Sequence, residues 1–412
     1  MFHFFYSIVW QLIWILLPVA GPFNKKIKIG NKGRRSTISS LKKWRLSLPT
    51  DSKIIWFHCA SLGEFEQGRP VIEALKKKEP HTLIALTFFS PSGYEVRKNY
   101  SGADWIGYLP LDTFFNARKF VQILRPTSAF FVKYEFWTNY FFNLKKIGAK
   151  LFCISVILRE EQHFFKWYGF MWKPTLEAVT HFFVQNETTQ KLLHKIKFNN
   201  VSVSGDTRFD RVLEISNSSK DLSWLTSFKL NEFLVVLGSS YTEEESLIAM
   251  LLHRVNNIKV CVVPHEIHNS RIQESISRFE KFGVVLLSSF QPEKNNEGRV
   301  LIVDSIGLLS SIYSQANAVV LGGGFGKGLH NSLEIAVYGV PMAFGPNHTK
   351  FQEAVELVKI GAAFSIGSPE DLTSFIEHCK QENAIPNVGK KFVEEHAGAT
   401  SVILTGIEKY SA

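Results

Sequence analysis

The chain has four cysteines in 412 residues, Cys59, Cys153, Cys261 and Cys379, and no two of them form a Cys-x-x-Cys pair. That spacing argues against a zinc site and against a disulfide framework, and leaves buried thiols in a reducing compartment. No Asp-x-Asp pair is present to clamp a divalent ion. Internal repeats and low-complexity tracts are also missing, which excludes a solenoid and a largely disordered chain. Acidic residues are absent from positions 1–50, where nine Lys or Arg fall. The rest of the chain holds 38 basic and 37 acidic residues, so the net charge of +10 is the property of one segment. It therefore implies no nucleic-acid partner.

What precedes that basic segment is an apolar run, 2–23, interrupted by His3, Ser7, Gln11 and Pro18 among others. Twenty-two helical residues would cover the ~30 Å hydrocarbon core of a bilayer. Nothing basic precedes the run, and Lys25-Lys26 occupies the place where a leader peptidase needs small residues, so 1–23 is read as a membrane anchor helix. The cations of the juxtamembrane segment 24–50 follow the run, which keeps the remainder on the cytoplasmic side. Trp10 and Trp14 also suit a helix lying in the interface over anionic lipid, and spanning or lying flat stays open.

From residue 54 onward, short β-branched or aromatic runs alternate with longer amphipathic ones. This is the pattern of βα units with a parallel sheet. Strands are expected at 54–58, 82–89, 127–133, 150–155, 181–185 and 201–204, and again at 233–237, 259–263, 284–288, 299–303, 318–321 and 340–344. The polar stretch 214–231 has no clear period and is read as a linker. The expected organisation is an α/β chain with two doubly wound, Rossmann-like domains, 51–213 and 232–385, facing a cleft. A C-terminal helix at 386–412 is expected to pack back on the first domain.

One stretch organises the second half. The apolar run 319–321 stops at Gly322-Gly323-Gly324-Phe325-Gly326-Lys327-Gly328, and 329–336 reads as the first turns of a helix. Strand, glycine loop and helix start together make an anion site, to which Gly326 and Lys327 contribute backbone access and charge. The pattern is neither a dinucleotide fingerprint nor a P-loop. Asn331 followed by Glu334 is equally a capping box and a ligand set, and both readings stand. Further loops follow strands at Ser239-Ser240, Pro264-His265 and Ile306-Gly307-Leu308. In the first half His58, Ser61, Gly63 and Glu64 follow the first strand, with Gly63 allowing a tight turn that puts Glu64 at a helix start. Glu135 and Arg208 are two more charges at strand ends.

These motifs together resemble the 3-deoxy-D-manno-octulosonic acid (Kdo) transferases of lipopolysaccharide synthesis. They are His-x-x-Ser-x-Gly-Glu at 58–64, Glu-x-Trp at 135–137, Gly-x-x-basic-Phe-Asp at 205–210, and the Gly328 to Glu334 stretch. The resemblance implies a GT-B, metal-independent, inverting glycosyltransferase of the inner membrane that needs no cofactor, with CMP-Kdo as donor and lipid A precursor as acceptor. It implies Glu64 as general base, and Glu135 and Arg208 as transition-state stabilisers. Donor contacts are expected from Ser239, Ser240, Pro264, His265, Ile306, Gly307, Leu308, Gly326, Lys327, Asn331, Ser332, Leu333 and Glu334. Ser61, Gly63 and Lys133 are the expected acceptor or Kdo-carboxylate contacts. The chain departs from the family pattern at Lys133, His265, Leu329 and Ser332; several members carry an acid at the first and Arg at the second. Two alternatives remain: a GT-B transferase using a UDP-sugar on a lipid, and a non-enzymatic nucleotide or lipid binder at the membrane surface.

Overall fold

In the computed structural model the short apolar runs become strands that pair in parallel, in two seven-stranded sheets with helices on the connections. The residues described are 2–20, 24–218, 220–293, 298–326, 328–381 and 387–410. They fall into two compact units, Met1–Arg211 with Ala397–Ala412, and Val212–His396.

The first unit opens with α1 (Phe2–Ala20) and α2 (Lys25–Leu46). It continues through β1 (Ile54–Cys59), α3 (Leu62–Lys78), β2 (Leu83–Phe88), α4 (Pro91–Arg97), β3 (Trp105–Tyr108), α5 (Phe114–Leu124), β4 (Ser128–Val132) and α6 (Thr138–Lys146). Then come β5 (Lys150–Val156), α7 (Lys173–Leu176), β6 (His181–Val184), α8 (Glu187–Lys195), β7 (Val201–Val203) and the start of α9 (Thr207–Ser216), which runs across the Arg211/Val212 boundary. The strand order is β3-β2-β1-β4-β5-β6-β7. Every residue of β1 is buried, and alternate side chains serve two cores: Ile54 and Trp56 on one face, Ile55, Phe57 and Cys59 on the other. A parallel sheet covered on both sides needs such an unbroken apolar run rather than a half-polar one. Phe57 stacks on Phe130 of the neighbouring β4 at 4.6 Å. Each such burial contributes roughly 2 kcal/mol. The strand β3 was not expected from the sequence: only four residues long and carrying Gly107, it is too short for a period to show.

The apolar run 2–23 forms the helix α1 over Phe2–Ala20. Among the described residues no helix is long and apolar enough to cross a membrane; residues 21–23 lie outside them. Instead α1 docks through its few polar side chains. The Tyr6 hydroxyl donates to Asp112 at 2.7 Å, and His3 Nε2 and Ser7 Oγ lie 2.8 and 3.0 Å from Asn139 Oδ1. Asp112 is fully buried; desolvation lifts its carboxyl to about 8, although Tyr6 and the backbone N–H groups of Asn139 and Tyr140 pull the other way. Phe5, Val9, Leu12 and Leu16 remain exposed on α1. The basic segment is itself a helix, α2, capped by Asn24 and packed on the sheet through Gly30, Thr37 and Leu41. A Cβ at Gly33 would lie 2.2 Å from the Tyr108 ring, so glycine is what lets α2 approach β3.

The second unit comprises α10 (Ser223–Lys229), β8 (Phe233–Ser240), α11 (Thr242–Arg254), β9 (Ile258–Pro264), α12 (Asn269–Phe279), β10 (Val284–Leu286), β11 (Val300–Ile302) and α13 (Leu309–Tyr313). It continues with β12 (Ala318–Leu321), α14 (Leu333–Ala336), β13 (Met342–Phe344), α15 (Gln352–Lys359), β14 (Ala363–Ser365), α16 (Pro369–Lys380) and α17 (Val388–His396). Its order is β10-β11-β9-β8-β12-β13-β14.

Two boundaries differ from expectation. Part of the stretch read as a linker is helix α10, with Leu225 and Phe228 buried; a single turn pair is too short to show a period in sequence. The C-terminal region 386–412 is not one helix. Within it α17 belongs to the second unit and α18 (Ala399–Glu408) to the first. The start of α18 is held by Asp210, whose carboxylate accepts from Gly398 N–H at 2.5 Å and Thr400 N–H at 2.6 Å. Ile403 is buried in the same core as Phe57.

Candidate functional site

In the first unit β1 and β4 are neighbours, yet the chain leaves them toward opposite edges of the sheet. The crevice at such a reversal is where open α/β sheets bind ligands. Glu64 occupies the first turn of α3, directly after β1, and the Ser61 hydroxyl donates to its Oε2. Lys133 follows β4, and its Nζ lies 3.4 Å from Glu64 Oε1. Its backbone is left-handed, φ 62°, held by a 2.9 Å bond from its N–H to the Ile154 carbonyl. A non-glycine residue there costs about 1–2 kcal/mol. Glu135, two residues on, is half-buried. Desolvation, then the negative charge of Glu64, raises its carboxyl to about 7. The structure therefore brings Ser61, Glu64, Lys133 and Glu135 to one place. Gly63 is there too, but not as a turn: it lies inside α3 with no positive φ, exposed on the first helical turn. The expected tight turn is absent because Ser61, with extended backbone, already starts the helix.

Arg208 is fixed from below. Its Nε donates to Asp206 Oδ2 at 2.8 Å and its backbone N–H to Oδ1 at 2.9 Å, while the Gln67 amide reaches both oxygens at 3.1 and 3.2 Å. Burial would raise the Asp206 carboxyl, but the Arg208 charge and these bonds hold it below the ordinary carboxylate range. Gln67 lies one helical turn after Glu64 on α3, so Arg208 and the carboxylate are anchored to the same helix. Sequence reading did not single out Asp206 or Gln67. Only the position of Asp206 two residues before Arg208 could have hinted at it. His58, quoted there within a motif, is fully buried, with Nδ1 2.9 Å from the Thr87 hydroxyl. Desolvation lowers its imidazole to about 3, so it is neutral.

In the second unit the reversal lies between β8 and β12. A Cβ on Gly323, whose φ is +90°, would meet the Gly328 carbonyl at 2.2 Å, so this loop tolerates little but glycine. Its amides are largely committed to the protein. Gly322 N–H bonds to the Gly238 carbonyl at 2.9 Å, Gly323 N–H to Glu244 Oε1 at 2.8 Å, and Gly328 N–H to the Gly323 carbonyl at 3.1 Å. The expected helix at 329–336 shrinks to the four residues of α14, too short for a strong dipole end. This corrects the helix-terminus part of the anion site: once the loop amides pair inside the protein, few remain to point at a phosphate. Lys327 lies outside the described residues.

The capping reading of Asn331 holds in modified form. Its Oδ1 accepts from Leu333 N–H at 3.3 Å, and its amide donates to Glu334 at 3.1 Å. Leu333 and Ser332 are buried, whereas Gly326 is exposed. Ser240 is also buried, its hydroxyl on Glu245 Oε1 at 2.8 Å. Glu245 is clamped in turn by Arg271 and Arg278 at 2.5 and 2.7 Å. Ser240 thus holds the end of β8 rather than facing solvent. Ser239 adopts φ 52° at the same strand end. Around it the rings of Tyr241, His265 and His330 gather from three different strand-end loops. His265 lies 5.0 Å from Tyr241 and 4.6 Å from His330, and the Tyr241 hydroxyl is 3.2 Å from His330 Nε2. Burial, then the neighbouring His265, takes the His330 imidazole down to about 4. Pro264 ends β9 just before this cluster. Ile306 is exposed after β11, and Gly307, φ 89°, accepts from Lys220. Tyr241 and His330 were not picked out in the sequence, where single aromatic residues carry no signal.

Residues 33–211 match a family model described as 3-deoxy-D-manno-octulosonic-acid transferase (kdotransferase). A 3-deoxy-D-manno-octulosonic acid transferase of Aquifex aeolicus is 28% identical over 337 residues, covering 80% of this chain and 86% of the relative. Over most of its length the chain is similar to Kdo transferases. A second Kdo transferase, from Chlamydia muridarum, is 26% identical and covers 84% of this chain and 83% of the relative. Among solved structures, MurG of Acinetobacter baumannii superposes with a TM-score of 0.53 at 12% identity, over 87% of this chain and 99% of that one. At that identity the likeness concerns fold alone, and the fold is GT-B. These similarities support a glycosyltransferase, so the strand-end loops of its two sheets are the places to look for its chemistry.

Proposed function

We propose that the protein transfers Kdo from CMP-Kdo to a hydroxyl of lipid A precursor, with inversion at the anomeric carbon. What carries the reading is the Glu64 carboxylate at the head of α3, met by Lys133 and backed by Glu135, in a chain similar to Kdo transferases. Glu64 takes the proton of the attacking hydroxyl as the new bond forms at the anomeric carbon. The bond to the CMP phosphate oxygen breaks on the opposite face, its electron pair leaves with CMP, and the proton passes from Glu64 to solvent. Arg208, fixed by Asp206, and Lys133 supply positive charge to the phosphate oxygens, which gain negative charge as the bond breaks, without a metal. The loops after β8, β9, β11 and β12 in the second unit are assigned to the donor, with the Tyr241, His265 and His330 rings as a surface for its base.

The acceptor is an amphiphile, and the exposed apolar residues of α1 with the cations of α2 fit a protein resting on the cytoplasmic face of the inner membrane over anionic lipid. Incubation with CMP-Kdo and lipid A precursor, followed by mass spectrometry, is expected to show the acceptor gaining one or more Kdo residues. CMP but not UDP should inhibit, and chelators should leave the rate unchanged. Transfer from a UDP-sugar, or no transfer at all, overturns the reading. Flotation of the full chain with anionic vesicles, reversed by salt, tests the membrane assignment.

A further inference from the structure

A cavity of about 270 Å³ lies between α1, α2 and the segment after β3, and the scheme above leaves it without a role. Its lining is of two kinds. Trp14, Leu17, Ile38 and Leu111 are apolar, whereas Arg34 and Arg35 bring guanidinium groups. Arg34 is committed to the fold: its Nε donates to the Leu109 carbonyl at 3.1 Å and another nitrogen to the Phe89 carbonyl. Arg35 is exposed, and among the described residues it makes no hydrogen bond or ion pair. Apolar walls beside an uncommitted guanidinium suit an amphiphile whose head carries phosphate oxygens, which a planar fork engages at two points.

Position narrows the choice of amphiphile. The Arg34 guanidinium packs 4.4 Å over the Phe89 ring, and the same ring stacks on Trp137 at 5.1 Å. The Phe89 N–H donates to the Ala60 carbonyl at 3.2 Å, one residue before Ser61. A single aromatic residue thus links the cavity wall to the loop that presents Glu64 and to the Glu135-x-Trp137 segment. The cavity wall is joined through Arg34 and Phe89 to the segment that carries the proposed base, which favours the acceptor over bulk membrane lipid as its occupant.

We infer that this cavity holds the phosphorylated, acylated end of the acceptor glycolipid, with Arg35 on a phosphate and Trp14 and Leu17 against an acyl chain. The assignment rests on the functional reading above and adds to it a place for the acceptor. The test is steady-state transfer by the full chain and by Arg35→Ala, using the phosphorylated acceptor and the same glycolipid with its phosphates removed. The variant is expected to raise the acceptor KM about tenfold, the size of one charge-assisted hydrogen bond, with the CMP-Kdo KM unchanged. On the dephosphorylated acceptor the gap between variant and wild type should close to less than about twofold. An unchanged acceptor KM, or an equal rise on both acceptors, overturns the subsite. So does a deficit confined to flotation with acceptor-free phosphatidylglycerol vesicles, which would give the cavity to bulk lipid. Wild-type protein that transfers Kdo to neither acceptor overturns the functional reading instead, and the subsite with it.

Discussion

Lys133 and Glu64 reach each other, Nζ to Oε1 at 3.4 Å, from the loops that follow β4 and β1, the two strands at which the first sheet reverses direction. The pair joins the proposed base to Lys133, an expected contact of the acceptor or the Kdo carboxylate. In a half-buried setting it holds the carboxylate beside a cation that a substrate anion can also use.

If Glu64 removes the acceptor proton, Glu64→Gln lowers kcat by about 10²–10⁴ and leaves CMP affinity intact. Calorimetric titration with CMP alongside turnover checks both halves. A silent substitution would favour a non-enzymatic binder.

Lys133→Ala is expected to raise the KM for CMP-Kdo by about tenfold, because a desolvated carboxylate loses its counter-charge. An unchanged donor KM would leave Lys133 with Glu64 alone as its partner.

Glu135 links activity to pH through stability. Its carboxyl is raised in the folded state from 4.5 to about 7, so between those values the folded protein binds more protons than the unfolded one. Stability from this group is full below pH 4.5 and falls as pH rises toward 7. Glu135→Gln should therefore melt above the wild type at pH 8 and close to it at pH 4.5. The gap is on the order of 1–2 kcal/mol, allowing for partial exposure. Melting scans across that range measure it.

Arg208→Ala strips a buried carboxylate of its charge partner and is expected to cost about 3 kcal/mol of stability as well as activity. Pairing it with Asp206→Asn separates the roles. Denaturant melts should show the double variant recovering stability, while turnover stays low because the cation is still missing.

The hydroxyl of Tyr6 ties α1 to Asp112. Tyr6→Phe should weaken this docking by about 1 kcal/mol, seen as faster amide exchange through α1 while exchange in β1 and β4 is unaltered.

Much of the architecture was readable from local pattern. Strands such as β12 and β13 announced themselves as short apolar runs bounded by glycine, and the alternation with helices predicted parallel sheets. What failed was short or conditional. The four residues of β3 and the seven of α10 carry too little period to be recognised. Gly63 looked like a turn because glycine after a strand usually is one, but Ser61 had already opened the helix. In the glycine loop the residue types were legible, whereas the partners of their amides were not. Glu244, 79 positions away in sequence, takes the Gly323 N–H that would otherwise be free.

By itself the sequence determined the α/β class, the candidate base Glu64 and the charge asymmetry of the first fifty residues, because each follows from residues adjacent in the chain. Only the tertiary structure decided that α1 docks on Asp112 and Asn139, that Gln67 reaches the Asp206 carboxylate beneath Arg208, and that Tyr241, His265 and His330 share one surface. Those facts depend on contacts between residues far apart in the chain. Hydrophobic burial brings such residues together, and the composition of any single segment does not reveal which ones.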